Sequence, residues 1–351
     1  MLKLARREFD GPVSRISEFV SAAIEGARPY GDSPLWSDAV SATLALHQAP
    51  QHFLRSQLVL LGSLAGGGPP EGEALERFAA GMELLHLFML VHDDVIDEAR
   101  MRRGRPTLHL ALLQSAPTLG AGRARSLAIV VGSTLHVLAM RHLLCGGRGR
   151  AACEVVLEAC LHTGIGQFED IVGWRGPGTS GGETVRAVIE DKAAYHAFAA
   201  PLAGGLRFAN LDADLGPAMA WGRRMGVALQ GLDDLGDFVG DPAVTGKDNF
   251  RDLLEGRVSL VLSLLFERAS AEDRAFLESV VGRGALVPAD RDEIERLLAS
   301  HGVASGCAQF IRGELAEAER VRAASGFSPE VREGMSALEQ GLLEILAALV
   351  A

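Results

Sequence analysis

Two short acidic clusters stand out as groups able to do chemistry. Asp93, Asp94 and Asp97 form one, and Asp233, Asp234 and Asp237 repeat its spacing. Positions four apart share a helix face, so each triad gathers its carboxylates within about a turn. Like charges this close repel unless a cation binds. Carboxylate oxygens suit hard cations, magnesium above all. Magnesium keeps several waters and takes one or two carboxylates per ion, leaving phosphate oxygens to complete its shell. Two such clusters facing each other could hold several ions around one diphosphate. A solvated helix end is the plain alternative for one triad, and two copies in otherwise apolar helices weaken it.

Metal-bound phosphate also wants cationic side chains. Arg102-Arg103-Gly104-Arg105 follows the first cluster five residues after Asp97, and arginine offers paired, planar donors to phosphate oxygens. Lys247 follows the second cluster, Arg257 comes ten residues later, and Lys192 lies in a third helical region. Each lone cation is more often a surface group, so their weight comes from order and spacing. His86, two turns before Asp93, is either a core histidine or a donor to a second diphosphate. His92 could complete a metal shell, although packing is the plainer role. No Ser-His-Asp or Cys-His ordering suggests a protein nucleophile.

The elements that must carry these groups are helical. Alternating Val/Ile/Thr runs are absent and only 5% of residues are aromatic, whereas helical spacing recurs. Leu84, Leu87, Val91 and Val95 make one stripe. Met219, Met225, Leu229 and Leu232 make another, and Leu342, Leu343, Leu346 and Leu349 a third. Gly/Pro clusters at Gly66–Pro70, Gly146–Gly149, Gly173–Gly182 and Gly240–Gly246, and the segment Gln114–Gly122, read as loops. No boundary or repeat divides the chain, so a single all-α domain over residues 1–351 is expected. Hydrophobic residues, 48% of 351, suffice for a sizeable core.

A net charge of -11 argues against nucleic acid as a partner. Cys145, Cys153, Cys160 and Cys307 form no Cys-x-x-Cys pair, which speaks against zinc and for a reduced, cytoplasmic protein. The N-terminus lacks a signal-peptide core. The apolar stretches Leu127–Met140, Val258–Phe266 and Leu342–Ala351 fall short of the roughly 20 residues that span a bilayer. They are expected to be buried helices, with no transmembrane segment.

Taken together the pattern resembles the trans-isoprenyl diphosphate synthases, the polyprenyl synthetase family. The matching segments run in family order from about Arg55 to Leu260. They comprise Glu83–Ala99, with its HDDVIDEA, RRGRPTLH at Arg102–His109, GQFED at Gly166–Asp170, and Lys192. Gln230–Asp237, Gly240–Asp248 and Glu255–Leu260 complete the set. The resemblance implies an all-helical homodimer with a central tunnel that joins isopentenyl diphosphate to an allylic diphosphate with magnesium. It also implies that Asp93, Asp94, Asp97, Asp233 and Asp237 act through magnesium and that Asp234 supports them. Arg102, Lys192, Lys247 and Arg257 would hold the allylic diphosphate, and Gln230 would face the reacting carbons. Arg55, His86 and Arg103 would hold isopentenyl diphosphate.

The chain also departs from the family pattern. His52 stands where lysine is expected, Ser133 replaces an aspartate, Ala193 a threonine, and Phe250 a common glycine. Phe88 and Met89, five and four residues before Asp93, would form the tunnel floor, with core packing as the alternative. By resemblance a bulky Phe88 implies a product of fifteen to twenty carbons, such as geranylgeranyl diphosphate. Two further readings follow from His52 and from the family. The chain could ionise an allylic diphosphate for cyclisation or for another acceptor, or it could be a non-catalytic subunit of a heteromeric synthase.

Overall fold

The computed structural model describes residue 4 and residues 6–173, 182–239 and 249–350. Among them the chain is helical almost throughout, and the described residues pack as two units.

One unit comprises Lys3–Val155 and Pro201–Ala213. It contains α1 (Arg7–Glu25), α2 (Pro34–Gln48), α3 (Leu54–Ala65), α4 (Glu73–Ile96), α5 (Leu108–Ser115) and α6 (Gly120–Leu143). Helix α4 is its centre, packed chiefly on α6 and also on α1 and α3. Phe78, Met82, Leu84, Leu85, Leu87 and Val91 are buried along it. Each such side chain contributes about 1.5–3 kcal/mol on leaving water, which offsets the lack of a side-chain N-cap at Gly72. Glu73 and Glu76 suit the positive end of α4, and Glu76 also pairs with Arg15 of α1 at 2.6 Å.

The other unit comprises Val156–Ala200 and Asp214–Ala351. Helix α7 (Gly146–Val172) enters it. It continues with α8 (Gly182–Ile189) and a π-helical stretch (Glu190–Ala199); α9 (Ala200–Ala209) belongs almost wholly to the first unit, and α10 (Gly216–Val239) returns to the second. Then come α11 (Arg251–Glu255), α12 (Leu260–Arg268), α13 (Ala271–Val280), α14 (Pro288–Ser300), α15 (Val303–Ala324) and α16 (Pro329–Leu349). Helix α10 packs on α15 and on the π-helical stretch. Trp221 is fully buried, and its indole Nε1 donates to Glu339 at 2.8 Å.

Three expectations change. Gly146–Gly149 is the first turn of α7 rather than a loop, since Gly146 takes the turn alone with φ +71°. Gln114–Gly122 is largely ordered, as the end of α5, a 3₁₀ turn at Pro117–Leu119 and the start of α6. The run Leu127–Met140 is not wholly buried: Ile129, Val130 and Val137 are 44%, 57% and 58% exposed. By length and composition Pro117–Leu143 could cross a membrane, with mean hydropathy 1.3 and 39% of the window buried. Counting only unbroken apolar residues missed this, because Gly132, Ser133, Thr134 and His136 interrupt the run. The expected loop Gly240–Gly246, like positions 174–181 of the expected loop Gly173–Gly182, lies outside the described residues.

Candidate active site

Helices α4 and α10 are both 24 residues long, and each ends on an aspartate triad with no basic residue in its last turn. Carboxylates at the negative end of a helix are disfavoured, so both triads sit where an external cation is most rewarded.

In the first unit Asp97 is the C-cap of α4, and its N–H donates to the Asp93 carbonyl at 2.8 Å. Asp94 is buried. Arg102 Nε donates to Asp94 Oδ1 at 2.8 Å, and its Nη2 reaches Asp93 Oδ2 at 3.2 Å. Burial opposes the Arg102 charge, but Asp94, Asp93 and Asp97 together hold its pKa above the ordinary value. Arg102 is delivered by a strand pair, the one such pair among the described residues, Met101–Arg102 against Arg105–Pro106. Arg103 and Gly104 at its tip both have positive φ, 53° and 72°, as a tight hairpin turn requires.

The same hairpin tip places Arg103 beside His86, with Nη2 and Nε2 3.5 Å apart. Arg55 lies in the first turn of α3, after Phe53 takes a left-handed turn (φ 50°). Its Nε is buried without a hydrogen-bond partner. Burial lowers the Arg55 pKa to about 10, with Glu83 opposing and Arg103 adding to the fall. Arg103 is lowered for the same first cause, with Glu83 again opposing. Glu83 accepts from the Ser56 N–H at 3.0 Å and from its hydroxyl at 2.8 Å, which fixes the start of α3. Arg55 and Arg103 are thus two half-buried guanidiniums that repel each other, one with an orphan donor. His52 lines a separate cavity of about 110 Å³ with Leu4, Phe9, Phe53 and Gln57, and its carbonyl accepts from Gln57.

In the second unit Asp233 is exposed and Asp234 buried. Asp234 Oδ2 accepts from the Leu260 N–H at 2.7 Å, and Oδ1 accepts from Gln230 Nε2 at 2.8 Å. Burial pushes the Asp234 pKa up to about 7 against those two bonds, with Asp233 adding to the rise and Lys192 opposing it. Asp237 Oδ2 accepts from the Asp252 N–H at 3.1 Å, and its carbonyl accepts from the Phe250 N–H at 3.0 Å. Phe250 has φ 69°, the conformation a glycine adopts without strain. It is retained by full burial against Phe238 (5.6 Å between ring centroids) and under Arg291.

Lys192 and Arg257 meet on Asp170. Lys192 Nζ is 2.6 Å and Arg257 Nη1 3.0 Å from Asp170 Oδ2. Gly166, one turn earlier on α7, allows this approach: a Cβ there would lie 2.1 Å from the Lys192 nitrogen. Lys192 itself sits in the π-helical stretch, a geometry frequent at functional sites. Lys247 lies outside the described residues. Phe88 and Met89 are half-buried, and the Phe88 ring packs 4.7 Å from His92 and 5.1 Å from His136.

Sequence reasoning assigned no role to Asp170, Glu83 or Asp252. Asp170 and Glu83 stand in quoted motifs, and the Gly166/Asp170 spacing of four was the available signal for Asp170. The Asp252 carboxyl is pushed well above its ordinary pKa, first by burial and then by Asp234 and Asp237.

Among the described residues, no three acidic, histidine or cysteine side chains converge as a ready-made metal cage. Magnesium takes few carboxylates per ion and completes its shell with water and phosphate. The donors present are carboxylate oxygens only, as a hard cation prefers.

The chain matches the polyprenyl synthetase family over residues 41–300. It is 33% identical over 234 residues to the short chain isoprenyl diphosphate synthase of Methanothermobacter thermautotrophicus, covering 66% of this chain and 68% of that protein. It is 32% identical over 287 residues to the geranylgeranyl diphosphate synthase of Mycobacterium tuberculosis, covering 79% and 75%. Among solved structures it is similar to geranylgeranyl pyrophosphate synthase from Corynebacterium glutamicum, complexed with isoprenyl diphosphate and magnesium. That likeness has a TM-score of 0.85 and 23% identity, with coverage of 96% and 99%, and it establishes the all-helical isoprenoid synthase fold. With 260 of its 351 residues (41–300) matched to one family and two relatives above 30% identity, this chain belongs to the polyprenyl synthetase family.

Proposed function

We propose that this protein is a single-domain, homodimeric synthase that condenses an allylic diphosphate with isopentenyl diphosphate to a product of fifteen to twenty carbons. The observation that carries the acceptor is the group Arg55, His86 and Arg103. It is a half-buried cationic cluster with an orphan Arg55 donor, and its His86 lies two turns along α4 from Asp93. A chain that only ionised an allylic diphosphate would have no use for a second anion site there.

Asp93, Asp97, Asp233 and Asp237 would hold magnesium, which supplies charge neutralisation on the departing diphosphate when bound. Lys192 and Arg257, pre-aligned by Asp170, donate to the phosphate oxygens, and Arg102 transfers from Asp93–Asp94 to the same anion. Their charge is fixed before the reaction, so it stabilises the developing negative charge at little reorganisation cost. The allylic C–O bond breaks with its electron pair leaving on diphosphate. The isopentenyl double bond, held through its own diphosphate by Arg55, His86 and Arg103, attacks the cation. A proton then passes to the released diphosphate. Apolar walls limit quenching by water, and the Phe88 ring limits chain length.

Two observations support the rest. Ile129, Val130 and Val137 give α6 an exposed apolar stripe suited to a second copy of the chain. None of the four cysteines is in a disulfide, consistent with a reducing cytoplasm. The test is a panel of allylic starters with magnesium and labelled isopentenyl diphosphate, read by mass spectrometry. Label in a longer diphosphate is expected, and no incorporation with any starter would sink the reading.

A further inference from the structure

A cavity of about 250 Å³ in the first unit is bounded by α1, the N-terminal half of α4 and the C-terminal end of α6. Ala22, Gly26 and Tyr30 line one side, and Arg77, Arg141 and His142 the other. Along α4 it is remote from the first triad: Arg77 and Asp93 are 16 residues apart, about 24 Å of helix. Nothing in the proposed reaction uses it.

His142 Nδ1 is buried there without a hydrogen-bond partner. Buried polar atoms are nearly always satisfied, so this nitrogen has capacity that the chain leaves unused. Burial first, then the Arg77 charge, with Arg141 adding, lowers the His142 pKa although a bond to the Arg77 backbone opposes them. Cations in the last turn of α6 would ordinarily be read as answering the helix dipole. That accounts for Arg141, but an imidazole kept neutral does nothing for a dipole. Arg77 is held in place by Glu73 at 2.8 Å and lies 4.5 Å over the Phe19 ring, so little freedom is left to lose on binding. The cavity thus presents two guanidiniums and one unsatisfied ring nitrogen around a space of small-anion size.

We propose that this cavity is a second anion site, taking a small phosphate-bearing anion through Arg77, Arg141 and the Nδ1 of His142. Arginine suits phosphate through its paired donors, and an imidazole flanked by bound phosphate gains a proton readily.

The test uses the full chain without magnesium, in chelator, titrated with inorganic diphosphate. Calorimetry counts the sites, and the His142 ring is followed by NMR after assignment with His142→Gln. Diphosphate should move the His142 resonance toward its protonated position. The exposed-site change Arg141→Ala should weaken one class of site at least tenfold and leave the class removed by Arg55→Ala intact. A parallel titration with isopentenyl diphosphate distinguishes a free diphosphate from a prenyl-linked headgroup, and response to either supports the site. An unmoved His142 resonance, or an Arg141→Ala titration identical to the unaltered protein, would overturn it and leave the cavity to ordered water.

Discussion

Asp94 and Asp234 hold the same place in two copies of one pattern, each buried near the end of a 24-residue helix. Their surroundings differ in kind. Asp94 has a guanidinium against it, Arg102 at 2.6 Å. Asp234 is met by two neutral donors, a backbone N–H and an amide, and its pKa rises to about 7. The cations near the second triad, Lys192 and Arg257, are drawn instead to Asp170. The first cluster therefore carries a counter-charge at its buried carboxylate, whereas the buried carboxylate of the second is satisfied by neutral donors. A repeated motif fixes which oxygens are present, and the neighbouring chain decides how much cation each copy still needs.

The largest effect should come from the outer carboxylates, where the two clusters are alike. Asp93→Ala and Asp233→Ala should each lower the rate of diphosphate release by about 10²–10³-fold, the scale of losing one preorganised charge stabiliser. If only one of them mattered, the clusters would not share a task. Next, Asp170→Asn removes the anion that Lys192 and Arg257 share. Uncompensated charge at a largely buried pair costs about 3 kcal/mol or more. A clear fall in melting temperature is expected for Asp170→Asn, together with a raised KM for the allylic substrate.

The helices and both triads were legible because their signals are local: carboxylates four apart, apolar stripes of helical period, and a basic run just after the first triad. Asp170, Glu83 and Asp252 were not, because their importance lies in what tertiary packing brings to them. Asp170 matters only once Gly166 lets α7 approach Lys192. Gln230 was expected at the reacting carbons, and the structure shows its amide on Asp234. The α6 apolar run was legible as a helix but not as an exposed face, since hydropathy alone does not say which side is covered.

A third prediction separates the clusters by pH. Asp234 holds its proton up to about pH 7 when folded against an ordinary value of 3.8, so the folded state favours the protonated form. Its contribution to stability is therefore lost as pH rises from about 4 to 7 in chelated protein. Asp234→Asn should gain stability relative to the unaltered chain across that window. A difference that stays flat with pH would show that Asp94 and Asp234 do not differ in this way. The smallest effect belongs to Phe88→Ala, which opens space beside His92 and His136 and should shift the product distribution by one or more five-carbon units, read by mass spectrometry.

The central claim, a condensing synthase with its own acceptor site, is tested most directly by Arg55→Ala under steady-state conditions. The KM for isopentenyl diphosphate should rise at least tenfold while the KM for the allylic diphosphate stays within about twofold, since removing a charged hydrogen-bond partner costs about 1.5–3 kcal/mol. An unchanged KM for isopentenyl diphosphate, or a change confined to the allylic substrate, would contradict it.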